Sequence, residues 1–125
     1  MNAMVAGTLT VVLMLAAGSA LAEGNEARGE RLFNQQCKAC HTLDKGGHNT
    51  VGPNLNGLFG RKAGSADYQY SDSMKNSGIA WDEKTLDDYL KDPKAKVPET
   101  KMTYIGLRQD QQRQDMIAFL KKATQ

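Results

Sequence analysis

Apolar and polar residues follow two different rules along this chain. The first 22 residues carry no charged side chain and 16 of them are apolar, and every Lys, Arg, Asp and Glu comes afterwards. Beyond that run, apolar positions recur at intervals of three and four, which gathers them on one face of a helix. Asn25 is placed to cap a first helix reaching about Gln36, with Glu26 and Glu30 near its positive end and Leu32 and Phe33 on one face. Gly29 inside that helix costs about 1 kcal/mol relative to Ala, so it predicts a close crossing by another helix. Residues 43–64 are rich in Gly, Asn and Pro and read as loops. Asp82 caps a further helix through Leu90, turning Leu86, Tyr89 and Leu90 inward, and Pro93 stops it. A last helix over about 109–122 buries Met116, Ile117, Phe119 and Leu120, with Lys121 and Lys122 at its negative end.

The leading run ends in Ser19-Ala20-Leu21-Ala22, the small-residue pattern at which signal peptidase cleaves. Residues 1–22 are therefore expected to be an export signal and residues 23–125 a single domain. No Lys or Arg precedes the run, so a retained membrane anchor is the rival reading. The 19 residues after Asn2 and Ala3 just reach the length of a span, which needs about 17–25.

Composition changes the picture of the core. Only 34 of the 103 residues from Glu23 onwards are apolar, and just two Val and three Ile remain for strands. A chain so short must bury a large share of its apolar surface, so something other than side chains should fill its centre. The expected class is all-α: three or four helices and long loops wrapped around a prosthetic group. Sixteen basic against 14 acidic residues is too mild an excess to make nucleic acid a leading partner.

Both cysteines lie in Cys37-Lys38-Ala39-Cys40-His41. The C-x-x-C-H spacing suits thioether attachment of haem: two thiols one helical turn apart meet two vinyl groups, and the adjacent His sets its imidazole under the iron. A disulfide between cysteines three apart would be strained and would staple almost no loop. A thioredoxin-like pair needs an alternating strand–helix pattern, and a zinc site needs four ligands where only His48 could join the other three. For the second axial position, Met116 sits on the inner face of the last helix, where a core role is expected. Met74 lies in a polar turn, and His48 lies awkwardly close to His41. Met102 stands in an irregular loop after Pro98.

At this point the chain resembles class I cytochromes c, of the branch that joins mitochondrial cytochrome c to bacterial periplasmic carriers. The likeness covers residues 29–124 and includes Gly52-Pro-Asn-Leu-Asn-Gly-Leu-Phe-Gly-Arg-Lys62, Gly78-Ile-Ala-Trp81, Pro98-Glu-Thr-Lys-Met102 and Ile117-Ala-Phe-Leu-Lys-Lys-Ala-Thr124. It implies one haem c, covalent through Cys37 and Cys40, with His41 and Met102 as iron ligands and the Pro53 carbonyl orienting the imidazole. It implies that Arg61, Tyr70 and Trp81 meet the haem propionates with Ser71 beside them, and that Tyr89 and Thr100 hydrogen-bond near the Met sulfur. Gly29 and Phe33 would cross the last helix near Phe119. Relatives usually have Asn where this chain has Met74, His where it has Asn49, Gly where it has Glu99 and Phe where it has Tyr104.

The resemblance implies a monomeric electron carrier and not an enzyme, located in the periplasm and touching membranes only through its partners. Larger redox proteins would dock at an exposed haem edge near Lys38, Lys94 and Lys101. Gln36, His48, Thr50, Ala95 and Gln109 stand where mitochondrial members commonly have Lys. A peroxidase-like haem protein is the catalytic rival, and Met102 argues against it.

Overall fold

The computed structural model describes Val11 and residues 23–125. The expected cleavage after Ala22, and with it the choice between signal and anchor, lies outside the described residues. Among those residues no helix is long and apolar enough to cross a membrane. Among the described residues five helices run in the order α1 (Glu26–Gln36), α2 (Asp72–Lys75), α3 (Glu83–Lys91), α4 (Pro93–Lys96) and α5 (Asp110–Ala123), with no strand beyond one bridge between Lys62 and Ala80.

Helices α1 to α4 each start under a side-chain cap, whereas α5 starts at Gln109 without one. The Asn25 side chain accepts from the Arg28 amide at 2.8 Å, satisfying a donor that the first turn leaves free. Asp82 and Thr85 form a reciprocal capping box on α3. Two one-turn helices add to the three expected long ones. Pro93 does end α3, but it also opens α4, because the first helical position needs no N–H and Asp92 caps the turn. The polar string around Met74 closes into α2 under a Ser71 cap, and Met74 is buried within it.

The frame is the crossing of α1 over α5. A Cβ on Gly29 would lie 2.0 Å from the Asp115 carbonyl oxygen and 2.7 Å from the Phe119 Cβ, so only glycine lets the backbones meet. Phe33 and Phe119 follow at a ring separation of 5.5 Å. Phe33, Leu86, Leu90, Met116, Ile117 and Leu120 are buried, while Phe119 is only half-buried.

Two buried charges were not expected on α5. Asp115 and Arg113 are 2% and 3% exposed, and each is surrounded by partners. Asp115 accepts from the Asn25 amide at 2.7 Å and from Arg28 Nε at 2.8 Å, tying the start of α1 to the middle of α5. Arg113 donates to Asp87 at 2.8 Å, to the Leu107 carbonyl at 2.9 Å and to Asp110. The Arg28 guanidinium holds the Asp115 carboxyl down at about 2, against an ordinary 3.8.

A carboxyl lowered on folding stabilises above its unfolded pKa and loses that contribution as pH falls towards the folded one. Asp115 should therefore support the fold fully above about pH 4 and progressively less down to pH 2. In denaturant unfolding at pH 6, Asp115→Asn is expected to lose about 1 kcal/mol, allowing for the half-exposed Arg28. The same variant should show a shallower decline in stability between pH 4 and pH 2.

Candidate functional site

A cavity of about 320 Å³ occupies the space that the side chains leave open. Its walls gather all eleven residues singled out from the sequence: Cys37, Cys40, His41, Pro53, Arg61, Tyr70, Ser71, Trp81, Tyr89, Thr100 and Met102. Phe33, Leu58, Leu86, Leu90, Met116 and Leu120 supply much of the apolar lining.

The cysteines come from the end of α1. The amides of Cys37 and Lys38 both turn back to the Phe33 carbonyl, at 2.8 and 2.9 Å, and those of Cys40 and His41 both reach the Cys37 carbonyl at 3.0 Å. This tight succession puts two half-buried, unbridged thiols on the cavity wall. Burial pushes the Cys37 thiol up to about 11, which leaves it protonated at neutral pH and argues against a dithiol reductase.

His41 is fixed with unusual density. Its Nδ1 lies 2.8 Å from the Pro53 carbonyl, and a carbonyl can only accept, so Nδ1 carries the proton and Nε2 keeps a lone pair. Burial lowers the imidazole pKa, partly offset by that hydrogen bond. Gly52 packs flat against the ring: a Cβ there would sit 2.6 Å from His41 Cε1. The Gly52 amide and the Thr50 hydroxyl both donate to the Cys40 carbonyl, at 2.8 and 2.7 Å, and Leu55 N donates to the Thr42 carbonyl at 2.9 Å.

Trp81 and Arg61 arrive together, because the Trp81 amide donates to the Arg61 carbonyl at 3.0 Å and the Gly60 amide to the Trp81 carbonyl at 2.8 Å. The Trp81 ring tilts against Tyr89 at 5.2 Å, and the Tyr89 hydroxyl shares a 2.8 Å hydrogen bond with Thr100 Oγ1. Burial raises the pKa of both Tyr89 and Tyr70. The Ser71 hydroxyl lines the cavity while capping α2, accepting from the Met74 amide at 3.1 Å.

The cavity's chemistry tests the fit of haem. No Asp or Glu lines it, whereas Arg61 does, and Arg61 Nε is buried without a hydrogen-bond partner among the described residues. A buried charged donor left unpaired is costly; a propionate is an anion of the right kind to meet it. Apolar walls suit the macrocycle, two thiols suit its vinyl groups, and a neutral imidazole with a thioether suits its iron. The residues present fit the group.

One contributor was missed, and three were named only as departures from the family pattern. The Tyr68 hydroxyl, also on the wall, donates to the Val51 carbonyl at 2.7 Å. Asn49 does tie two loops, donating to the Asp67 carbonyl and accepting from the Asn54 amide. Tyr104 half-buries on the rim and donates to Gln36 Oε1; burial pushes its phenol up to about 12. Glu99, just before Thr100, has φ of 62°, a conformation that strains any residue with a Cβ. Its departure from the Gly of relatives is the signal that pointed there.

Comparisons with known proteins agree with this geometry. The cytochrome c family pattern matches residues 26–124. A cytochrome c of Theileria annulata is 53% identical over 102 residues, covering 82% of this chain and 89% of that one. Cytochromes c of Nigella damascena and Sesamum indicum are 46% and 50% identical over 102 residues, covering 81% of this chain and 92% of each relative. These relatives are eukaryotic, and they overturn the expected bacterial periplasmic location. That location rested on the charge-free leader ending in Ser19-Ala20-Leu21-Ala22 read as an export signal, a cue to address that the chemistry of the haem motifs does not share.

Replacing Glu99 should relieve the local strain. Glu99→Gly is expected to stabilise the haem-loaded protein by up to about 1 kcal/mol, the relief being partly offset by a freer unfolded chain. Urea unfolding followed by Trp81 fluorescence would measure it.

Proposed function

Because the chain belongs to the cytochrome c family, a family of electron carriers that hold haem c covalently, we propose that one haem c sits in this cavity. Thioethers from Cys37 and Cys40 attach it, and His41 and Met102 fill the two axial positions. The protein is then a monomeric carrier that passes single electrons between larger redox proteins. The observation that carries this reading is the cavity itself, where two thiols, a neutral imidazole, a thioether and the Arg61 Nε, buried without a partner among the described residues, converge.

Haem supplies an iron that changes oxidation state by one electron. The chain's own residues set the conditions for that change. The Pro53 carbonyl keeps the His41 proton on Nδ1 and so fixes which nitrogen faces the iron. The thioether of Met102 favours the ferrous state relative to a second imidazole. Arg61 offsets propionate charge, and the apolar wall from Phe33 to Leu120 excludes water.

The docking surface is the rim. Val51 and Lys101 line the cavity, Val51 being 71% exposed and Ile105 nearby in sequence 80% exposed; with Lys38 and Lys94, both exposed, they are the proposed contacts. Lys101 is partly engaged, since its ammonium donates to the Gln69 carbonyl at 2.8 Å. Lys38, exposed beside Cys37, is the cleaner probe. Lys122 lies elsewhere, paired to Glu26 across α1 and α5 at 3.0 Å.

Mass spectrometry of the purified protein should find one haem that survives acid–acetone extraction; freely extracted haem, or a Cys37–Cys40 disulfide, would overturn the central claim. Electron transfer to an acidic redox partner should slow with added salt, because steering is the screened part of association. Lys38→Glu should cost about tenfold in that rate at low salt and Lys122→Glu less than about twofold. Equal losses at the two positions would place docking on another face.

A further inference from the structure

The two candidate iron ligands stand on segments held very differently. Around His41, the residues from Cys40 to Leu55 exchange a dense set of hydrogen bonds. The Met102 side has anchors at its two ends: Tyr89 and Lys101 before it, and the Leu107 amide, which donates to the Leu90 carbonyl at 2.8 Å, after it. Between them, no backbone N–H or C=O of residues 102–106 is hydrogen-bonded among the described residues. The one hydrogen bond these five residues make among the described residues is from the Tyr104 hydroxyl to Gln36 Oε1. It joins positions 68 residues apart in sequence, and both side chains border the cavity.

We propose that Tyr104 and Gln36 form a clasp across the mouth of the cavity, which positions Met102 by holding its segment against the end of α1. Gln36 is the last residue of α1, one before Cys37, so the clasp joins the Met102 segment to the element that attaches the haem. The pair is chemically matched: a phenol donates and a side-chain amide oxygen accepts. Phe at position 104 could not donate, and Lys at position 36 could not accept. The two departures from the relatives' usual residues therefore make one interaction together that neither makes alone. Neither residue touches the iron; both act through Met102.

The proposal rests on Met102 as the axial ligand, and its test separates the two claims. In the ferric haem protein, added imidazole competes with the thioether, and its binding is followed by loss of the thioether-to-iron absorption band. Tyr104→Phe and Gln36→Leu should each bind imidazole about three- to tenfold more tightly, as expected when one hydrogen bond holding the closed segment is lost. The double variant should match either single one, because both remove the same bond. Single variants within twofold of the parent, or effects that multiply in the double variant, would overturn the clasp. A second readout needs no axial thioether: NMR order parameters of residues 102–106 in the ferrous protein should fall in both single variants. If the parent lacks the thioether band, the axial assignment fails, and those order parameters alone decide the clasp. Unchanged values would overturn it.

Discussion

Everything around the cavity is referred to one backbone contact, the meeting of α1 and α5 at Gly29. With no Cβ between them, α1 lies close enough to α5 for Phe33 to bury against Phe119. The same closeness fixes where α1 ends, and so where Cys37 and Cys40 begin. From the other side α5 contributes Met116 and Leu120 to the wall. The register of the crossing is set by charge as well as by size. Asp115 gathers the Asn25 amide and Arg28 at the start of α1, while Arg113 reaches Asp87 on α3. Buried ion pairs of this sort contribute modest net stability against apolar alternatives. Their geometric effect is larger here: each has partners in only one alignment of the helices.

The cavity divides into a rigid half and a yielding half. Next to His41, a glycine lies flat on the ring and a carbonyl receives its proton, with the surrounding loops bonded to one another. Next to Met102, the chain runs without backbone hydrogen bonds to the described residues until Leu107, behind a Glu held at a left-handed φ. Such segments open at low free-energy cost. A carrier needs one ligand to define the iron's position and tolerates compliance in the other, provided that other returns to the same place.

What could be read in the sequence was local. Asn25 and Asp82 announce their helices because a cap bonds to an amide two or three residues away, and Gly29 announces a crossing because nothing else justifies it in mid-helix. The Cys37–His41 motif is compact for the same reason, and the wall residues came with the family likeness. What escaped involves distance along the chain. Asp115 and Arg113 look like a solvated helix face until Arg28, 87 residues from Asp115, is brought alongside. Met74 hides in a string of polar residues whose single helical turn points it inward. Pro93 reads as a stop, and its second role depends on Asp92 capping a turn too short to show periodicity. The location read from the charge-free leader was a matter of address rather than folding, and eukaryotic relatives corrected it.

The hollow at the centre makes folding answerable to the prosthetic group. Phe33, Leu58, Leu86, Leu90, Met116 and Leu120 turn apolar surface towards the place of the haem, so part of the core's packing is completed by the macrocycle and not by other side chains. A chain without its haem lacks those contacts and is less stable for it, and proteolysis draws on the unfolded population. The two thioethers thus act as a certificate of completion: a polypeptide that misses attachment opens more readily to proteolysis than one equipped to carry an electron.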